Sequence, residues 1–106
     1  MTDRELLELA AKAAGKPIRW DGDVAVLLDP DWQSDKCSAW NPLADDGDAL
    51  RLAVKLKLDV RFPQDCDMYV DAGPCDAFTV YLIDAGNDRA AATRRAIVRA
   101  AAALAS

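Results

Sequence analysis

Residues 45–62 read DDGDALRLAVKLKLDVRF, and the apolar period changes partway along them. In the first part, Ala49, Leu50, Leu52, Ala53, Val54 and Leu56 spread over a broad face at helical spacing, which predicts a helix over 46–57. Asp45, Asp46 and Asp48 stand at its start, where carboxylates suit the positive end of the helix dipole. Lys55 and Lys57 fall in the last turn, where cations suit the negative end. Residues 58–62 then alternate, with Leu58, Val60 and Phe62 facing inward and Asp59 and Arg61 outward. That pattern predicts a half-buried strand near a sheet edge, ended by Pro63. A helix running directly into a strand marks a mixed α and β domain.

Upstream, residues 29–44 form a long connection holding Pro30, Trp32, Trp40 and Pro42, whose tryptophans are expected to tuck over the edge of the core. Before it come two short strands, 17–20 and 24–28, joined through Asp21-Gly22-Asp23, a hairpin signal. Val24, Ala25, Val26, Leu27 and Leu28 are all apolar, so the second strand should be covered on both faces. Residues 3–14 form a helix: Thr2 and Glu5 have capping-box spacing, and Leu6, Leu7, Ala10, Ala11 and Ala14 make its stripe before Gly15.

Downstream, short strands are expected at 68–71 and, after Gly73-Pro74, at 77–83. In the latter, Phe78, Val80 and Leu82 share one face and Tyr81 and Ile83 the other, so this strand too should be covered on both sides. A final helix follows the capping cluster Gly86-Asn87-Asp88 and runs to about 104, with Ala90, Ile97, Ala100, Ala101 and Leu104 inward. The order α-β-β-α-β-β-β-α predicts an α+β fold. The arrangement expected is a three-layer α/β/α sandwich, with a largely antiparallel sheet of about five strands and three helices. A single helix layer, with a second copy covering the bare sheet face, accounts for the pattern nearly as well.

At 106 residues the chain has room for one domain, 1–106. Its net charge of −5 is unevenly spread: residues 21–88 carry fifteen acids and five bases, whereas residues 89–106 carry four arginines and no acid. That acidic body disfavours nucleic acid, although Arg89, Arg94, Arg95 and Arg99 decorate the last helix. Their expected role is to pair with the acidic body or with an acidic partner. No apolar run reaches membrane-spanning length, and the start MTDRE has no signal-peptide pattern. Together with three unpaired-looking cysteines, Cys37, Cys66 and Cys75, these features point to a reduced cytoplasmic compartment.

Histidine is absent, which removes histidine-based acid–base chemistry and histidine metal ligation. The aspartates at 45, 46 and 48 do not have EF-hand spacing, and helix capping accounts for them; no metal and no cofactor is expected. No phosphate-binding glycine loop or nucleophile elbow occurs, so no catalytic residue is assigned and the chain reads as a non-enzymatic binder. The candidate binding residues are Trp40, Asn41, Asp45, Asp46, Arg95 and Arg99. The partner is an unidentified protein or a second copy of the chain.

The stretch WNPLADDGDALRLAVKL at 40–56 resembles the W-N-P-x-x-D-D-G-D-A-L core of small tailed-phage and prophage proteins, the phage ABA sandwich domain family, which are distantly similar to lambdoid NinX-type proteins. Residues 6–15 and 92–101 resemble that family's opening and closing helices. The resemblance implies a three-layer α/β/α sandwich and a phage-derived gene expressed in a bacterial cytoplasm. It implies no activity and supplies no catalytic residues. The reading that follows is a phage accessory protein that binds a host or phage macromolecule. The alternatives are a module that sequesters a small ligand and, behind it, an enzyme.

Overall fold

Thr2 opens the first helix of the structure, a computed structural model that describes residues 2–16, 18–27, 39–62, 69–72 and 78–105. Its hydroxyl accepts from the Glu5 N–H at 3.2 Å and donates to the Glu5 carboxylate at 3.2 Å, the two bonds of a capping box. Helix α1 spans Asp3–Ala14 and ends at Gly15, whose φ of 68° lets the chain turn away without a Cβ clash. The five stripe residues expected to face inward, Leu6, Leu7, Ala10, Ala11 and Ala14, are all buried.

Strands β1 (Ile18–Asp21) and β2 (Val24–Leu27) form an antiparallel hairpin turning at Gly22, where φ is 64°. Ala25 and Val26 are both buried, so the middle of β2 is covered on both faces as expected, while Val24 is exposed beside the turn. The other edge of β2 is not left bare. Ala39 pairs with Val26, and the Trp40 N–H donates to the Ala25 carbonyl at 2.8 Å.

Helix α2 spans Asp46–Leu56. Beyond it, β3 (Val60–Arg61), β4 (Tyr69–Ala72) and β5 (Phe78–Tyr81) make an antiparallel meander in that order. A 3₁₀ turn, Leu82–Ala85, leads through Gly86 to helix α3, Arg89–Ala105. Asp88 caps α3, its carboxylate accepting from the N–H groups of Ala90 at 3.0 Å and Ala91 at 3.4 Å.

The fold is mixed α and β with antiparallel strands, but its layering differs from the expected sandwich. Among the described residues the strands lie in two sheets, β1-β2 and β3-β4-β5, rather than one. The central element is α3, which packs on α1 and α2 and also on β4 and β5. Ala92, Ala96, Ile97, Val98, Ala100, Ala101 and Ala102 are all buried, and at 100° per residue they wrap most of the helix circumference. Ala90 and Leu104, expected on the inner stripe, are exposed near the two ends of α3. Strand β5 is covered on one side only: Val80 is buried, whereas Thr79 and Tyr81 are exposed, as is Ile83 in the 3₁₀ turn. Tyr81 and Ile83 are apolar enough to look like core, but β5 packs on α3 through the side that carries Val80. Phe62, expected inward, is exposed because β3 ends at Arg61.

Trp40, a candidate binding residue, is 1% exposed and belongs to the core cluster, and Pro42 beside it is also fully buried. The tryptophan anchors the connection as expected and is unavailable to a ligand. Trp32 and the three cysteines lie outside the described residues. Trp40→Ala is expected to lower unfolding free energy by about 3–5 kcal/mol. Half-buried Trp20→Ala should cost less in the same urea titration, and equal costs would show that Trp40 is not the anchor.

Candidate functional site

The entry to α2 is built from the side chains that the sequence offered as ligands. Asp45 is the N-cap, its carboxylate accepting from the Asp48 N–H at 2.8 Å. Asp48 is buried and fully engaged. One of its oxygens accepts from the Asn41 N–H at 3.0 Å, and the other from the Arg51 guanidinium at 2.7 Å. The Asn41 side-chain oxygen accepts from the Leu43 N–H at 3.1 Å, and its carbonyl accepts from the N–H groups of Ala44 and Asp45 at 3.0 and 2.8 Å. Gly47 fits here because an added Cβ would stand 3.2 Å from both the Asp45 carboxylate and the Arg51 guanidinium. The turn from Trp40 to Arg51 is therefore a self-satisfied polar knot over a core aromatic.

Two arginines of α3 hold this knot and α1 in place. Arg94, its side chain 17% exposed, donates Nε to the Leu43 carbonyl at 2.9 Å and Nη1 to the Asp46 carboxylate at 2.6 Å. Arg95 reaches Asp3 on α1 at 3.3 Å. Arg94 thus pairs with the acidic body, as expected, whereas Arg95 pairs with Asp3 of α1, outside residues 21–88. Arg99 is exposed on the same helix.

Two clefts flank the knot. The first, of about 460 Å³, is mixed in character; Asn41 and Arg95 line it together with Asp3, Asp23, Trp20 and Arg4, whose guanidinium lies 4.3 Å over the Trp20 ring. The second, of about 340 Å³, runs between α2 and α3 and is almost wholly apolar. Leu50, Phe62, Ala49 and Ile97 form its walls, with Asp46, Arg89 and Arg94 at the rim. Of the six candidate residues, the structure thus brings Asn41 and Arg95 to one cleft and Asp46 to the other. Asp45 caps a helix, Trp40 is core, and neither Asp45 nor Arg99 lines either cleft.

Leu50, Phe62, Trp20 and Arg4 were not among the candidates. A signal for Leu50 was present: six apolar residues within α2 span too wide an arc for one buried face. The buried side of α2 carries Ala49, Leu52 and Ala53, leaving Leu50 and Val54 outside. Among the described residues no group of three or more acidic or thiol side chains could hold a metal ion, and no helix is long and apolar enough to cross a membrane. No protein-family model, curated protein or solved structure matches the chain.

Replacing Asp48 leaves the part-buried Asn41 N–H without its acceptor and removes the 2.7 Å partner of Arg51. Asp48→Ala is expected to cost about 1–3 kcal/mol. Asp46→Ala, which removes an exposed carboxylate, is expected to cost at most about 1 kcal/mol. Chemical denaturation of the two variants compares them directly, and a cost for Asp48→Ala no larger than that for Asp46→Ala would contradict the organising role given to Asp48.

Proposed function

We infer that this domain is a non-enzymatic phage or prophage accessory protein, acting in the bacterial cytoplasm by attaching to a protein through the apolar cleft between α2 and α3. The observation that carries this reading is the exposure of Leu50, Val54 and Phe62, at 62, 68 and 52%. Burying an aliphatic or aromatic side chain gains about 1.5–3 kcal/mol, a gain that these three forgo in the free domain. A clustered apolar surface rimmed by polar groups is the usual mark of a protein contact. The resemblance of residues 40–56 supports the phage origin and, with it, kinship to a layered α/β/α family. The missing histidine weighs against an enzyme.

A second reading has one observation in its favour. The mixed cleft gathers Asn41, Arg95, Arg4 and Trp20 around about 460 Å³, a volume suited to a sequestered small ligand. Native mass spectrometry of protein purified from a prophage-bearing bacterium separates the two, because a retained small molecule would favour this cleft.

The main reading is tested with a photo-crosslinking residue placed at Leu50. It is expected to capture one discrete protein from the host, and unlabelled wild type should compete that capture away. The double variant Leu50→Asp, Val54→Asp should fold normally, since exposed substitutions usually move stability within about 0.5 kcal/mol. It should not compete. Competition by this variant equal to wild type, or the same capture from a probe at exposed Glu8, would sink the proposal.

A further inference from the structure

The exposed face of α2 carries a charge pattern that bears on which protein segment the cleft accepts, and this step rests on the reading just given. Along one stripe of the helix stand Asp46, Leu50 and Val54, each one turn from the next, and Lys57 follows at the cap. Asp46, at the start, is held by Arg94 at 2.6 Å. Lys57, at the end, is exposed, as is Lys55 on the adjacent stripe, and among the described residues neither makes an ion pair. Arg51, which shares the stripe of Lys55, already serves Asp48. The apolar stripe is therefore neutralised at one end and bordered by uncompensated cations at the other.

We propose that the α2–α3 cleft receives an acidic amphipathic helix of a partner protein. Its apolar residues would lie against Leu50, Val54 and Phe62, and its carboxylates would meet Lys55 and Lys57. A groove between two helices, walled by Leu50 and Phe62 and floored by Ala49 and Ile97, suits an inserted helix read through residues one turn apart. An anionic membrane is the other surface with matching chemistry. The protein's net charge of −5 opposes it, because an extended charged surface acts on the whole body. A short acidic segment acts within a Debye length, about 8 Å, where the two lysines dominate.

The test uses three helical peptides of the same length, each with leucines at i, i+4 and i+7 on one face and with glutamate, glutamine or lysine on the other. Each is titrated into the isotopically labelled full chain while the amide resonances of Leu50, Val54 and Phe62 are followed. The glutamate peptide is expected to shift these resonances and to bind about tenfold more tightly than the lysine peptide. The double variant Lys55→Glu, Lys57→Glu should invert that order while leaving the rest of the spectrum in place. Equal binding by all three peptides would remove the acidic assignment and leave the apolar cleft standing as a protein contact. No shift at Leu50, Val54 and Phe62 from any peptide would overturn both. Two further outcomes would each replace the partner helix: the same shifts produced by phosphatidylserine vesicles, or by concentration-dependent dimerisation in sedimentation.

Discussion

Helices α1 and α2, strands β4 and β5 and the 3₁₀ turn all pack against one alanine-rich helix. Because α3 presents methyl groups around most of its circumference, α1 and α2 can approach it on one side and β4 and β5 on another. Small side chains contribute little buried area each, so the stabilisation comes from close approach and from the number of atoms brought within van der Waals distance. Larger residues in the Ala92, Ala96 and Ala100 positions would push α1 or the sheet away from the helix axis. In the β1-β2 hairpin, Ala39 and Trp40 pair along the other edge of β2.

The second constraint is local. Between Trp40 and Arg51 nearly every polar group is used to turn the chain into α2: the Asn41 amide and carbonyl, the Asp45 cap and the buried Asp48 carboxylate. This explains how a stretch so dense in aspartate serves as the entry to a helix. It also separates two roles that the sequence mixes. The residues of the WNPLADDGD motif are largely occupied with folding, and exposed apolar side chains lie just beyond it, at Leu50 and Val54.

All three helices were legible in the sequence because their caps and stripes are local. The Thr2–Glu5 pair, Gly15, Asp45 and Asp88 each act within a few residues of their own position. The burial of Trp40 and the pairing of Arg94 with the acidic body were legible as well. The layering was not. Alternation in 77–83 and the greasy middle of β2 report that a strand has apolar neighbours, not which element supplies them. Alanine was the misleading residue, since it reads equally as helix propensity and as a contact surface on every side. The cleft was hidden for a related reason: Leu50 and Val54 fit the helical period of a buried face, and only the positions of Ala49, Leu52 and Ala53 show which side of α2 that face occupies.

The central position of α3 has a consequence for how the chain is made. Helix α1 ends at Ala14 and its principal packing partner begins at Arg89. At ribosomal rates of roughly 5–20 residues per second, several seconds separate the emergence of the two helices. Throughout that interval the apolar stripe of α1, the inner face of α2 and the meander lack the helix they chiefly pack on. Contacts so distant along the chain also slow the search for the native arrangement. The nascent domain thus exposes apolar surface until its alanine helix arrives.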